Sequence, residues 1–133
     1  MRILATPLAA LAALGACGGG SDGPTGGNTP PSAVAGVAAT IANNTVSLSW
    51  NPVPGAVGYR VYMASTSGVT RTNVTTLPGN MTHTDLPTQF EHPPGLDANT
   101  TYFFIVTAVN SAGESSESCE VSAEIGTASS GSC

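Results

Sequence analysis

From about residue 33 onward, apolar and polar residues alternate in short runs, and Pro, Gly or Asn interrupts each run after a few residues. "TVSLSW" places Val46, Leu48 and Trp50 on one face and Ser47 and Ser49 on the other. The turn-rich "NPVPGAVG" follows, and then "YRVYMA" sets Tyr59, Val61 and Met63 against Arg60 and Tyr62. "TYFFIVTAVN" holds Tyr102, Phe104, Val106 and Ala108 in one register, and "CEVSAEI" alternates Cys119, Val121, Ala123 and Ile125 with Glu120, Ser122 and Glu124. A period of two bounded by turn residues marks half-buried strands. No segment of this body shows helical periodicity. The pattern predicts an all-β sandwich.

The N-terminus has a different pattern. Arg2 precedes an apolar stretch, Ile3 to Leu14. That is too short to cross ~30 Å of hydrocarbon as a helix but suits a signal-peptide core. It ends in Leu14-Gly15-Ala16-Cys17, which resembles the lipobox of bacterial lipoprotein precursors. The resemblance implies a diacylglyceryl thioether on Cys17, cleavage after Ala16 and acylation of the new amino terminus. The alternative is an ordinary secretory signal with Cys17 as a free thiol. Gly18 to Pro31, "GGGSDGPTGGNTPP", has too little apolar surface to order itself. It is expected to be a disordered tether with a root-mean-square span of roughly 20 Å. Gly18 stands where an Asp would favour inner-membrane retention in the lipoprotein family, so the resemblance implies the outer membrane. The expected organisation is a signal peptide over 1–16, a lipidated Cys and linker over 17–32, a folded domain over 33–126 and a tail over 127–133.

The folded body resembles the fibronectin type III family. The strand ending in Trp50 with Pro52 just after it, the stretch "GYRVYMA", and "GLDANTTYFFIVTAVNSAGES" carry the likeness. Leu96 lies six residues before Tyr102, the spacing of a tyrosine corner, and Ala108, Asn110 and Gly113 fall where the family places them. The resemblance spans roughly Pro31 to Ile125 and implies a seven-stranded immunoglobulin-like sandwich. An immunoglobulin domain proper would carry Trp on its third strand and cysteines on its second and sixth, whereas Trp50 ends the second strand here. The passage from Leu77 to Leu96 is longer than the family's usual one. Phe90 is its expected core residue, and residues 78–95 are a candidate family-atypical surface.

Composition narrows the function. The chain has three basic residues against eight acidic ones and a net charge of -5. That balance excludes a nucleic-acid partner, which needs a basic face. His83, Asp85, Glu91 and His92 lie close in sequence but without ligand-grade spacing, and are expected to be solvated polar residues rather than a metal site. Glu114, Glu117, Glu120 and Glu124 are expected to form a solvated edge that discourages strand pairing. Asn73-Val74-Thr75 and Asn99-Thr100-Thr101 are glycosylation sequons in form, read as products of an Asn- and Thr-rich composition. The reading is no enzyme, with no catalytic, cofactor or metal residues. The expected function is a membrane-anchored bacterial lipoprotein presenting a non-catalytic module for protein or polysaccharide binding at the cell envelope. A structural subunit or spacer of a surface assembly is the alternative.

Two further expectations concern cysteines and a surface. With Cys17 acylated, Cys119 and Cys133 are left in an oxidising compartment. The last strand rises about 20 Å from Cys119 to Ile125, and the tail spans about 25 Å when extended, so it just reaches back to Cys119. An intramolecular disulfide, an intermolecular bond through Cys133 and a buried free Cys119 all remain open. Because Tyr102, Phe104 and Val106 face inward, Phe103 and Ile105 face the other way, and so does Tyr62 on the neighbouring strand. Tyr62, Phe103 and Ile105 form a candidate contact face. It is either open to a partner or covered within the chain by the linker, the tail or the insertion around Met81.

Overall fold

The computed structural model describes residues 29–92, 95–127 and 129–133. The signal peptide, Cys17 and most of the expected tether lie outside the described residues. Among the described residues, nine strands follow in order: β1 (Ala38–Ala42), β2 (Thr45–Ser49), β3 (Gly58–Ala64), β4 (Met81–Leu86), β5 (Gln89–Glu91), β6 (Thr101–Asn110), β7 (Gly113–Glu114), β8 (Val121–Glu124) and β9 (Ser129–Ser130). A 3-10 turn, Val74–Thr76, lies between β3 and β4. One sheet runs β1-β2-β5 and the other β4-β3-β6-β8-β9, with β7 also paired to β6.

The alternation fixes which faces meet. Val46, Leu48, Tyr59, Val61, Met63, Tyr102, Phe104, Val106, Ala108, Val121, Ala123 and Ile125 pack with Trp50 in one core between the sheets. The ring centroids of Trp50 and Tyr59 are 5.5 Å apart and the rings are tilted. β1 and β2 turn through Asn43 and Asn44, both at positive φ, and Ala42 pairs with Thr45. Asn tolerates the left-handed region well, so this two-residue link suits a tight hairpin. Phe90 pairs with Leu48 and packs against the core, as expected of it. The longer passage over 78–95 is therefore largely β4 and β5, the two strands that close one side of the sandwich.

The strand count exceeds seven for two reasons. The last strand is split, because Ser115 to Glu120 leave the regular ladder between β7 and β8. Ser115 and Ser118 still donate their amides to the Ala108 and Val106 carbonyls at 2.8 and 3.0 Å. Their hydroxyls, however, take the place of backbone acceptors: Ser115 Oγ accepts from the Ala108 amide at 3.0 Å and Ser118 Oγ from the Val106 amide at 2.9 Å. Cys119 consequently precedes the strand and is exposed, rather than continuing the inward row of Val121, Ala123 and Ile125. The second reason is β9. The chain after Ile125 folds back, pairs β9 with β8, and bridges Ala38 through Ser132.

Candidate functional site

Tyr62, Phe103 and Ile105 do lie together on the outer face of β3 and β6, but that face is not open. Tyr62 retains 7% of its accessible surface and Ile105 2%. They form a second small core with Ala64, Val69 and Val74, with Leu77 and Phe103 at its margin. The cover is the segment between β3 and β4, which is neither the linker, the tail nor the insertion around Met81. Apolar side chains on the outer face of β3 and β6 needed partners, and Val69, Val74 and Leu77 provide them. Those three sit in a turn-rich stretch where no apolar period marks them as buried.

The acidic residues hold this cover in place, which corrects their reading as a solvated edge. Glu120 Oε2 accepts from the amides of Gly68 and Val69 at 2.8 and 2.7 Å. Glu117 accepts from the Arg71 amide at 3.2 Å and faces its guanidinium at 3.8 Å. Arg71 in turn donates to the Ser115 carbonyl at 2.9 Å. Glu114 is the hub. Its carboxylate accepts from Tyr62 and Thr107, each at 2.5 Å, and pairs with Arg60 at 2.9 Å. Burial pushes this carboxyl up, but the hydrogen bonds from Thr107 and Tyr62 and the charges of Arg60 and Arg71 outweigh it and hold it below its ordinary range. Burial and the bond to Glu114 push the Tyr62 phenol up.

Cys119 and Cys133 are joined in a disulfide within the chain, with Cα atoms 6.4 Å apart. The tail that ends there donates from the Cys133 amide to the Val37 carbonyl at 2.8 Å, and its Gly131 carbonyl accepts from Ala39 at 2.9 Å. The tail thus pairs with β8 of one sheet and reaches β1 of the other, and the disulfide pins its end. Unpaired strand edges invite pairing with other chains, and this arrangement covers two of them.

The residues weighed as a weak metal cluster are distributed differently from the expectation of solvated side chains. His92 is buried at 5% exposure and His83 is half-buried. Their rings stand perpendicular with centroids 5.4 Å apart, and the His83 and Phe90 ring centroids are 4.3 Å apart. Burial, and then the neighbouring His92, lower the His83 pKa. Glu91 is exposed on the other side of β5, and the Asp85 side chain lies outside the described residues. Among the described residues, no group of three or more His, Cys, Asp and Glu is gathered for a metal.

The outer face of the three-stranded sheet holds an open groove of about 450 Å³. Thr40, Ser47 and Glu91 line it in one row across β1, β2 and β5, with Ser49 and Gln89 beside them and Pro87 at its end. Hydroxyl, carboxamide and carboxylate groups in a shallow cleft suit a hydroxyl-rich ligand better than an apolar one. Ser and Thr at outward positions of a solvated strand face carry no functional signal in the sequence by themselves.

Two packed antiparallel sheets and a tyrosine corner define an immunoglobulin-like module. In the corner, Tyr102 Oη accepts from the Asp97 amide at 3.1 Å. Residues 29–124 match the fibronectin type III domain family, and the chain belongs to it. It is 36% identical over 97 residues to Chitinase Chi52 of Paenibacillus xylanexedens, a match covering 72% of this chain and 16% of that protein's length. Among solved structures, an Fn3-like protein from Clostridium thermocellum is 28% identical, with a TM-score of 0.56 over 69% of this chain and 90% of that one. The FN5 domain of Drosophila Lar, at 22% identity, shares the fold, with a TM-score of 0.56 over 71% and 96% of the two chains.

Proposed function

We propose that this chain is a non-catalytic binding module, displayed on a bacterial cell envelope by lipid on Cys17, that engages glycan through the outer face of β1, β2 and β5. The likeness to a chitinase carries the reading. The matched part is a sixth of that enzyme, so there the module accompanies polysaccharide chemistry as one part of a larger chain. The groove supports it, because Thr40, Ser47, Ser49, Gln89 and Glu91 present a row of groups able to exchange hydrogen bonds with sugar hydroxyls. The opposite face of the molecule is occupied by its own chain, whereas this groove is open.

The test is co-sedimentation of the Cys17→Ser chain with insoluble chitin and with peptidoglycan. Saturable depletion that weakens several-fold in Gln89→Ala with Glu91→Ala supports glycan binding at this face. Both residues are outward on an edge strand, so the melting temperature should move little. Equal depletion of the double variant would reject the groove, and no depletion by either polymer would turn the reading toward a protein partner.

A further inference from the structure

The side of the sandwich opposite the disulfide is closed by β4 and β5, which belong to different sheets. Met81 and His83 alternate on β4 opposite Met63 and Val61, and therefore point inward along this margin. His92 follows β5, and its amide bonds to the Val46 carbonyl at 2.8 Å. Its Nε2 stands 3.4 Å from the Met81 sulfur. His83 Nε2 is buried without a hydrogen-bond partner. The proposed occupant follows from the donor set. We propose that Met81, His83 and His92 form a site for a soft monovalent d10 cation, Cu(I) in the cell, that joins the two sheets at this margin.

The spacing fits such an ion. Metal bonds of about 2.0 Å to nitrogen and about 2.3 Å to sulfur, set at a near-tetrahedral angle, put the two atoms about 3.5 Å apart. The same geometry puts the centroids of two imidazoles bound through Nε2 about 5 Å apart. The observed separations are 3.4 Å and 5.4 Å. The donor chemistry selects the cation. A thioether is a soft neutral ligand suited to Cu(I), imidazole binds copper readily, and hard cations require oxygen donors. Without metal, the His92 Nε2–H donating to the thioether holds the pair in position, and on loading the neutral ring carries its proton on Nδ1, which frees the Nε2 lone pair for the cation. His83 brings a nitrogen already stripped of water. Phe90, against the ring of His83, walls the site on one side.

The experiment uses the full chain with Cys17→Ser, which removes a competing thiol and leaves the disulfide closed. Ag(I), a redox-inert probe of the same class, is titrated by calorimetry and by thermal melting. One Ag(I) per chain and a melting temperature raised by at least about 5 °C are expected. Met81 is partly exposed, so Met81→Leu should keep the metal-free melting temperature within a few degrees while weakening Ag(I) at least a hundredfold. X-ray absorption of the Cu(I)-loaded chain should show one sulfur neighbour with two nitrogens. Ag(I) affinity unchanged in Met81→Leu, a nitrogen-only shell, or Zn(II) bound as tightly as Ag(I) would each overturn the proposal.

Discussion

Glu114 shows how one residue decides the condition of a whole face. Its carboxylate takes bonds from Tyr62 and Thr107 and a charge from Arg60, so its proton affinity falls on folding. A carboxyl with a depressed folded pKa contributes stability above its unfolded value of about 4.3, and that contribution is lost as pH falls through the folded value. Thermal melts between pH 7 and pH 3 should therefore show a fall in stability that is visibly smaller in Glu114→Gln. Equal falls would remove Glu114 from the acid response. Tyr102 offers a second residue-level test. Tyr102→Phe keeps the packing and removes the acceptor for the Asp97 amide, costing about 1 kcal/mol, or roughly 4–8 °C in melting temperature. A change below a degree would mean that the corner bond adds nothing.

At the scale of elements, the segment between β3 and β4 behaves as a lid on a second core. Ile105→Ser places a hydroxyl in that core and removes a buried side chain, so it should cost about 3 kcal/mol. An open contact face would instead leave the melting temperature nearly unchanged, and the same measurement separates the two. The tail is the other element under test. Its disulfide closes a loop with a sequence separation of 14, and opening a loop of that size removes about 3 kcal/mol in the chain-entropy account. Mild reduction should lower the melting temperature and speed amide exchange at Ala39, whose partner is Gly131. Unaltered exchange at Ala39 would show that the tail holds β1 without the bond. The strands were legible because their inward positions repeat every second residue, as in Val46-Leu48-Trp50 and Tyr102-Phe104-Val106. The lid was not, since Val69, Val74 and Leu77 obey no period and are placed by distant partners such as Glu120. Cys119 was misjudged for a related reason. The Ser115 and Ser118 hydroxyls substitute for ladder bonds, and nothing in local alternation announces that.

For the whole molecule, the two sheets are held differently at their two margins. A covalent bond and a returning strand close one, while Met81, His83, Phe90 and His92 close the other. The outer face of β3 and β6 is occupied by the chain's own lid, and the outer face of β1, β2 and β5 is left with its polar groove. The family and the sandwich could be read from Trp50, Tyr102 and the strand pattern. The groove could not, because its Ser, Thr and Gln side chains acquire meaning only when three strands bring them into a row. The proposed display of that groove at an envelope rests on lipid at Cys17, and intact-mass analysis of the protein extracted from the membrane fraction tests it most directly. The account predicts a chain beginning at Cys17 that carries diacylglyceryl and acyl mass, with Cys17→Ser found only in the soluble fraction. A membrane-fraction chain with an unmodified Cys17, or a Cys17→Ser variant that stays in the membrane fraction, would contradict it.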